Sequence, residues 1–197
     1  MAIKLENTTF DPSEDGFNPV PPGIYPAHIV EVQIRTFDDT GKSVYNLYFK
    51  AADEVEQLDV PKMISDGNGS FTQASEDGTP KTISGSFIKG KRFRLNNGMW
   101  LTPNPEKGKG WTNRNYVRWC EAVGVEFPKT KDGKLELVEV EEDDILGNPC
   151  LIKVNEIDWE NKTTGQSGKS MQVVDIHSWD KGTRLSKDEL VNDDLPF

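Results

Sequence analysis

Apolar and polar residues alternate over two stretches near the start of the chain and two near its end, and each alternation predicts a β-strand. In GIYPAHIVEVQIR, Val30, Val32 and Ile34 fall on one side and Glu31, Gln33 and Arg35 on the other. In VYNLYFKA, Tyr45, Leu47 and Phe49 share a side, and Asn46, Tyr48 and Lys50 the opposite one. The intervening TFDDTGKS supplies Gly41 and the acids that favour tight turns, so these runs predict a hairpin. SFIKGKRFRL reads as a third, basic strand in which Gly90 marks a bulge. NPCLIKVNEIDWE and SMQVVDIHSWD read as two closing strands joined by NKTTGQSGK.

The strongest helical period lies in WTNRNYVRWCEAVG, where Tyr116, Trp119, Cys120 and Val123 recur on one face. Thr112 or Asn113 can cap its start, Gly124 stands where a C-terminal glycine belongs, and Arg114 and Arg118 share a face at i and i+4. Between Asp53 and Gly85 the pattern dissolves into Gly, Ser and Asp, which predicts a long loop insertion, functional or without a role. NNGMWLTPNPEKGKG reads as a turn-rich connection, and KTKDGKLELVEVEEDD as an acidic hairpin or exposed strand.

The predicted order is three strands, a helix, then two strands. That order is the arrangement of the OB-fold, a five-stranded Greek-key barrel with one helix between strands three and four. Sandwiches of other topology stay open, because periodicity carries no strand order. The expected organisation is a mainly β domain over 1–180, with the long loop at 53–85, and a flexible acidic C-terminal tail over 181–197.

Composition adds limits. With 28% charged and 35% hydrophobic residues among 197, the chain has material for one modest core and much loop. No apolar run approaches the roughly 20 residues of a membrane span, and MAIKLENTTFDPSEDG lacks the apolar stretch of a signal peptide, so a cytoplasmic protein without membrane partners is expected. Cys120 and Cys150 are then expected as reduced packing residues; with His28 and His177 they lack the close spacing of a zinc site, so neither metal nor cofactor is expected. The net charge is −10, yet residues 85–120 hold eight cations against one acid, +7, leaving −17 for the remainder. Such asymmetry predicts a basic binding surface in acidic surroundings.

Candidate chemistry narrows accordingly. TTGQSGKS resembles a phosphate loop, but the first required glycine falls at Thr163 and a strand-like run follows where a helix must open, so a hairpin turn is the better reading. Glu139, Glu141, Glu142, Asp143 and Asp144 could serve metal-dependent hydrolysis, yet a consecutive run splays its side chains and reads better as a solvated acidic face. No nucleophile and base pair stands out, so no catalytic residue is assigned. What remains is cations interleaved with aromatics, the composition that holds single strands through phosphates and base stacking. Phe93, Tyr116 and Trp119 fit apolar faces and are expected in the core. The expected single-stranded DNA contacts are Tyr48, Lys50, Lys89, Lys91, Arg92, Arg94, Trp100, Lys107, Lys109, Trp111, Arg114 and Arg118, with Trp100 and Trp111 as loop-borne stacking rings.

The chain closes on DDLPF, an acidic tip ending in an aromatic residue. With this tip, the barrel pattern and the basic window, the sequence resembles the single-stranded DNA-binding proteins of bacteria and tailed bacteriophages. PPGIYPAHIVEVQI, YNLYFK and WTNRNYVRWCEAVGV are similar to segments of a phage family found among replication and recombination functions. The resemblance implies a non-enzymatic, largely sequence-independent binder of single-stranded DNA, acting in phage DNA replication, recombination and repair within the host cytoplasm. It also implies that Asp193, Asp194, Leu195, Pro196 and Phe197 recruit partner enzymes such as a polymerase, helicase, primase or nuclease. A tether over 181–197, about 55 to 60 Å at full extension, would let that tip compete with DNA for the basic groove. Self-association is left open. The rival expectations are a metal-dependent nuclease or recombination enzyme, and a protein-binding adaptor barrel.

Overall fold

The computed structural model describes residues 19–65, 71–103 and 111–191, excepting the side chains of Ser65, Trp111, Thr112 and Val191. The long alternations fold as expected into β1 (Gly23–Phe37) and β2 (Lys42–Ala51), an antiparallel hairpin turned at Gly41. Tyr45, Leu47 and Phe49 of β2 are all buried, so their shared side forms the inner layer. In β1 the predicted face is corrected: a register shift between Ile29 and Glu31 leaves Val30 half-buried, and Ile34 is 40% exposed. The extra residue switches the inward phase from Tyr25, Ala27 and Ile29 to Val32.

The described residues of the segment 53–85, expected as a loop without pattern, form short paired strands. After a 3-10 turn at Asp53–Gln57 come β3 (Asp59–Pro61), β4 (Met63–Ser65), β5 (Phe71–Gln73), β6 (Ser75–Glu76), β7 (Thr79–Pro80) and β8 (Thr82–Ser84). They pair as β3 with β8, enclosing β4 with β5 and β6 with β7. Buried Val55, Val60 and Ala74 anchor this excursion. Strands of two or three residues are too short to show an alternation, which is why the sequence conceals them.

A second 3-10 turn, Gly85–Ile88, buries Ile88 completely, and Gly90 sits at φ +72° with its N–H donated to the Ala51 carbonyl. Gly90 and Lys91 together face Ala51, whose N–H donates to the Lys91 carbonyl at 2.9 Å, so the expected bulge is present with its glycine in the left-handed region, and β9 after it is only Arg92–Arg94. The supposed turn-rich connection contains another strand, β10 (Met99–Leu101). Then come α1 (Trp111–Ala122), α2 (Glu142–Ile145), β11 (Pro149–Glu160), β12 (Ser167–His177) and α3 (Lys187–Val191). The acidic segment 129–144 forms no regular strand; it opens on a tight reversal at the antiparallel bridge Lys129 to Leu135, where the Thr130 N–H donates to the Lys134 carbonyl, and ends in α2, where Glu141 and Asp144 cap each other's backbone N–H.

The protein is mainly β. One six-stranded sheet runs β10-β2-β1-β11-β12, with β9 on the same edge of β2 as β10 but at its other end. The path does not close through a regular ladder; β12 meets the chain after β9 at a single parallel bridge, Leu95 to Val173. Helix α1 buries Tyr116, Trp119 and Cys120, with Val123 just beyond it, and Gly124 at φ +89° ends the run. Each large apolar side chain so buried contributes about 1.5 to 3 kcal/mol. Asn113 does not cap the helix: its amide bonds both the N–H and the carbonyl of Thr102, fastening α1 to the end of β10. The Tyr116 hydroxyl donates to the Val138 carbonyl and accepts from the Val140 N–H, both at 3.0 Å. Cys120 and Cys150 are free and buried, and burial pushes the Cys120 thiol up to about 12, so both pack as thiols.

The expected tail boundary also moves. Beyond β12 the chain folds against the body: Leu185 donates its N–H to the Gly147 carbonyl, and the Arg184 guanidinium bonds the carbonyls of Leu146 and Asp143. The His28 ring bonds the Thr183 carbonyl at 3.0 Å through Nε2, which must carry the hydrogen, and lies 5.6 Å from the Trp179 ring. Ser186 and Glu189 form a reciprocal cap at the start of α3. Residues 181–191 are thus no free tether, and only 192–197 lie outside the described residues.

Candidate nucleic-acid interface

The outward side of the β1–β2–β9 sheet gathers the polar positions of three strands. Antiparallel register sets Tyr48 opposite both Glu31 and Arg94, Lys50 opposite Arg92, and Asn46 opposite Gln33. Cross-strand neighbours share a face, so one alternation per strand is enough to assemble the patch. Tyr48, Arg92 and Arg94 with Glu31 line a cavity of about 410 Å³. Arg94 donates to Asn46 Oδ1 at 3.3 Å, and a Cβ placed on Gly98 would lie 3.4 Å from the same oxygen. Asn46 therefore connects this patch to the turn before β10.

Trp100 stands in β10 opposite Val44 rather than on a loop. Its indole N–H donates to the Asn97 carbonyl at 2.8 Å, and its ring stacks on Phe37 with centroids 5.8 Å apart and planes 16° from parallel. The Arg35 guanidinium lies 4.7 Å from the Phe37 centroid. Arg35, Phe37 and Asn46 belong to the patch although sequence reasoning passed over them. The signal was present: Arg35 and Phe37 are in phase with Glu31 and Gln33, and the hairpin register carries that phase onto the side of Tyr48.

The remaining expected contacts divide. Lys89 is held by Asp53 at 3.1 Å and Glu56 at 2.9 Å, and these two carboxylates, Glu56 foremost, favour its charged form; it fastens the 53–57 turn instead of extending the patch. Lys91 lies 5.6 Å from the Phe87 centroid. Arg92 pairs with Glu31 at 2.8 Å, and both side chains are more than a third exposed, so the pair is worth no more than about 1 kcal/mol and a phosphate can replace the carboxylate. Arg118 grips Asp175 with two bonds, 2.7 and 3.3 Å, and Asp175 also accepts from the Trp119 indole at 2.8 Å. Arg114 is exposed on α1 without an ion-pair partner among the described residues. The Trp111 side chain, Lys107, Lys109 and the tip residues Asp193, Asp194, Leu195, Pro196 and Phe197 lie outside the described residues.

Trp100 and Arg118 meet across a second cavity of about 430 Å³, bounded by Asn96, Asn97 and Asn115. Patch and cavity together form a track of cations, amides and rings, which can hold phosphates by charge and bases by stacking. The acids of 139–144 do not converge: Glu139 accepts from the Ser43 hydroxyl, Glu141 and Asp144 cap α2, and Asp143 pairs with Lys187. Among the described residues no three His, Cys, Asp or Glu are grouped to hold a metal ion, and no helix is long and apolar enough to cross a membrane. No protein-family model matches the chain, and no curated protein matches it significantly.

Proposed function

We propose that this protein binds single-stranded DNA without catalysing a reaction on it, in phage DNA replication and recombination, and recruits partner enzymes through Asp193, Asp194, Leu195, Pro196 and Phe197. The observation that carries the reading is the single face on which Arg92, Arg94, Tyr48 and Asn46 run on to Trp100, Phe37 and Arg35. Arg92 is held by Glu31 and Arg94 by the Asn46 amide, contacts that a phosphate can displace, and the rings of Tyr48, Trp100 and Phe37 are half-buried.

The fold we infer behind that face is an OB-type barrel. Its five staves would be β9, β2, β1, β11 and β12, with the ends of the path joined at Leu95 and Val173, where the Asn96 N–H also donates to the Val173 carbonyl at 2.8 Å. In that barrel α1, which follows β10 and precedes β11, is the helix between the third and fourth staves. The β9–β2–β1 face is then the surface on which such barrels bind oligonucleotides.

Binding is expected to vary little with sequence overall and to weaken as salt rises, because phosphate contacts release counterions. The test follows tryptophan fluorescence as oligo-dT is added at two salt concentrations, with and without Mg²⁺. Salt-sensitive quenching with an intact oligonucleotide supports the proposal. Cleavage in Mg²⁺ would promote the nuclease reading, and no change at any salt, matched by no retention on immobilised oligo-dT, would favour the adaptor barrel.

A further inference from the structure

We propose that the cavity between the β9–β10 turn and α1 is a base-reading subsite that prefers adenine within an otherwise unselective strand; this rests on the single-stranded DNA reading above. The cavity holds about 430 Å³, and Trp100, which stacks on Phe37, is part of its lining. Asn96 and Asn115 bound it from opposite elements, the turn and the helix, and both are half-buried. Their side-chain amides have no hydrogen-bond partner among the described residues. Asn97 has a separate reason to be asparagine, its φ of +61°, so it carries no part of the inference.

Phosphate binding does not call for two open amides beside an aromatic ring. An amide presents one donor and one acceptor side by side, and adenine answers both with N7 and its exocyclic amine. Adenine repeats the match on its N1 edge, whereas guanine presents two acceptors on its N7 edge, matched by the fork of an arginine, and answers an amide on its Watson–Crick edge alone. Arg118, the arginine bordering the cavity, has its fork closed on Asp175, and Asp175 is kept in place by the Trp119 indole. The cavity therefore offers amides and withholds the guanidinium. Trp100 adds a ring whose stacking area favours two-ring bases over cytosine and thymine, which otherwise present their own donor and acceptor pairs.

The test uses the full chain and fluorescence anisotropy with a dT oligonucleotide carrying one central dA, dG or dC, beside the all-dT strand. The single dA is expected to tighten binding at least about fivefold over all-dT, with dG and dC smaller, since a good bidentate pair is worth about 1 to 3 kcal/mol. The double variant Asn96→Ala, Asn115→Ala should bind the dA strand and the all-dT strand alike, while an unchanged melting transition reports that it is folded. Asn96→Asp with Asn115→Asp, which keeps size and removes the amide donors, should lose the preference as well. Equal affinity for the four strands overturns the subsite and leaves the single-stranded DNA reading standing. A preference that survives in folded variants overturns the assignment to these asparagines, and absence of binding to every strand overturns both readings.

Discussion

Truncating Tyr48 to alanine is expected to weaken oligo-dT binding by about 5- to 150-fold, the equivalent of one lost stack of roughly 1 to 3 kcal/mol, while thermal stability barely moves because the ring is only half-buried. Equilibrium titration beside a melting curve separates the two effects. Gly98→Ala should do the reverse. Its φ is +65° and a Cβ there would stand 2.7 Å from Val44 Cγ2 and 3.1 Å from the Tyr45 carbonyl, so denaturant unfolding should show a loss of about 1 to 3 kcal/mol. His28 links folding to pH. Burial lowers its pKa from the usual 6.5, while the Thr183 carbonyl and the acids Glu54, Glu189 and Asp53 oppose that shift more weakly. A histidine whose folded pKa is depressed takes up its proton first in the unfolded chain, so stability should fall as pH drops below about 6.5 and level off below the folded value. Melting temperatures between pH 5 and 7.5 should show that decline, and His28→Gln should remove it.

Helix α1 is the element on which core and interface both depend. Its buried face, Tyr116, Trp119 and Cys120, was legible from helical spacing alone, whereas the bonds that fix its position were not. Asn113 looked like a cap because asparagine is a good one, yet its amide serves Thr102; the competing partner comes from a strand too short to be seen in the pattern. The Tyr116 hydroxyl ties the helix to a segment that has no regular structure of its own. Tyr116→Phe leaves the Val138 carbonyl and the Val140 N–H without that partner and should cost about 1 to 3 kcal/mol in denaturant unfolding. Among the strands, β1, β2, β11 and β12 were readable because each is at least 10 residues long; β9, three residues long, was read only as part of a longer basic strand, and β10, also three, was not read. Trp100 was misjudged for that reason: without β10 in view, its ring had no Phe37 to stack on.

The C-terminal segment bears on the proposed sharing of one chain between its body, DNA and partner enzymes. With 181–191 folded against β1 and α2, a free tip would comprise residues 192–197, at most about 20 Å of chain. The proposed competition with DNA would be limited to that span inside one molecule, and beyond it would act between molecules. Deleting 192–197 is expected to raise oligo-dT affinity at low salt, with the gain fading as salt screens the acids, and to abolish partner retention. Deleting from Ser186 instead should also lower the melting temperature, since it removes the reciprocal cap with Glu189. Salt titration reads the interface as a whole: Arg94→Gln should reduce the slope of log affinity against log salt by about 0.7, the share of one phosphate on a single strand.

Long local periodicities were enough to determine the mainly β character, the first hairpin, the last one, and the helix with its buried face. The reason is that a side chain's direction repeats every two residues in a strand and every 3.6 in a helix, and nothing remote is needed to see it. Partner choice belongs to tertiary structure. Arg92 meets Glu31 across 61 residues of chain and Arg118 meets Asp175 across 57, and no local pattern says that these cations have acids waiting. The pairings inside 53–85, the limits of β9, the strand β10 and the docking of 181–191 were decided the same way. The short strands carry no period, and each of these features is held by atoms that only the folded chain brings near.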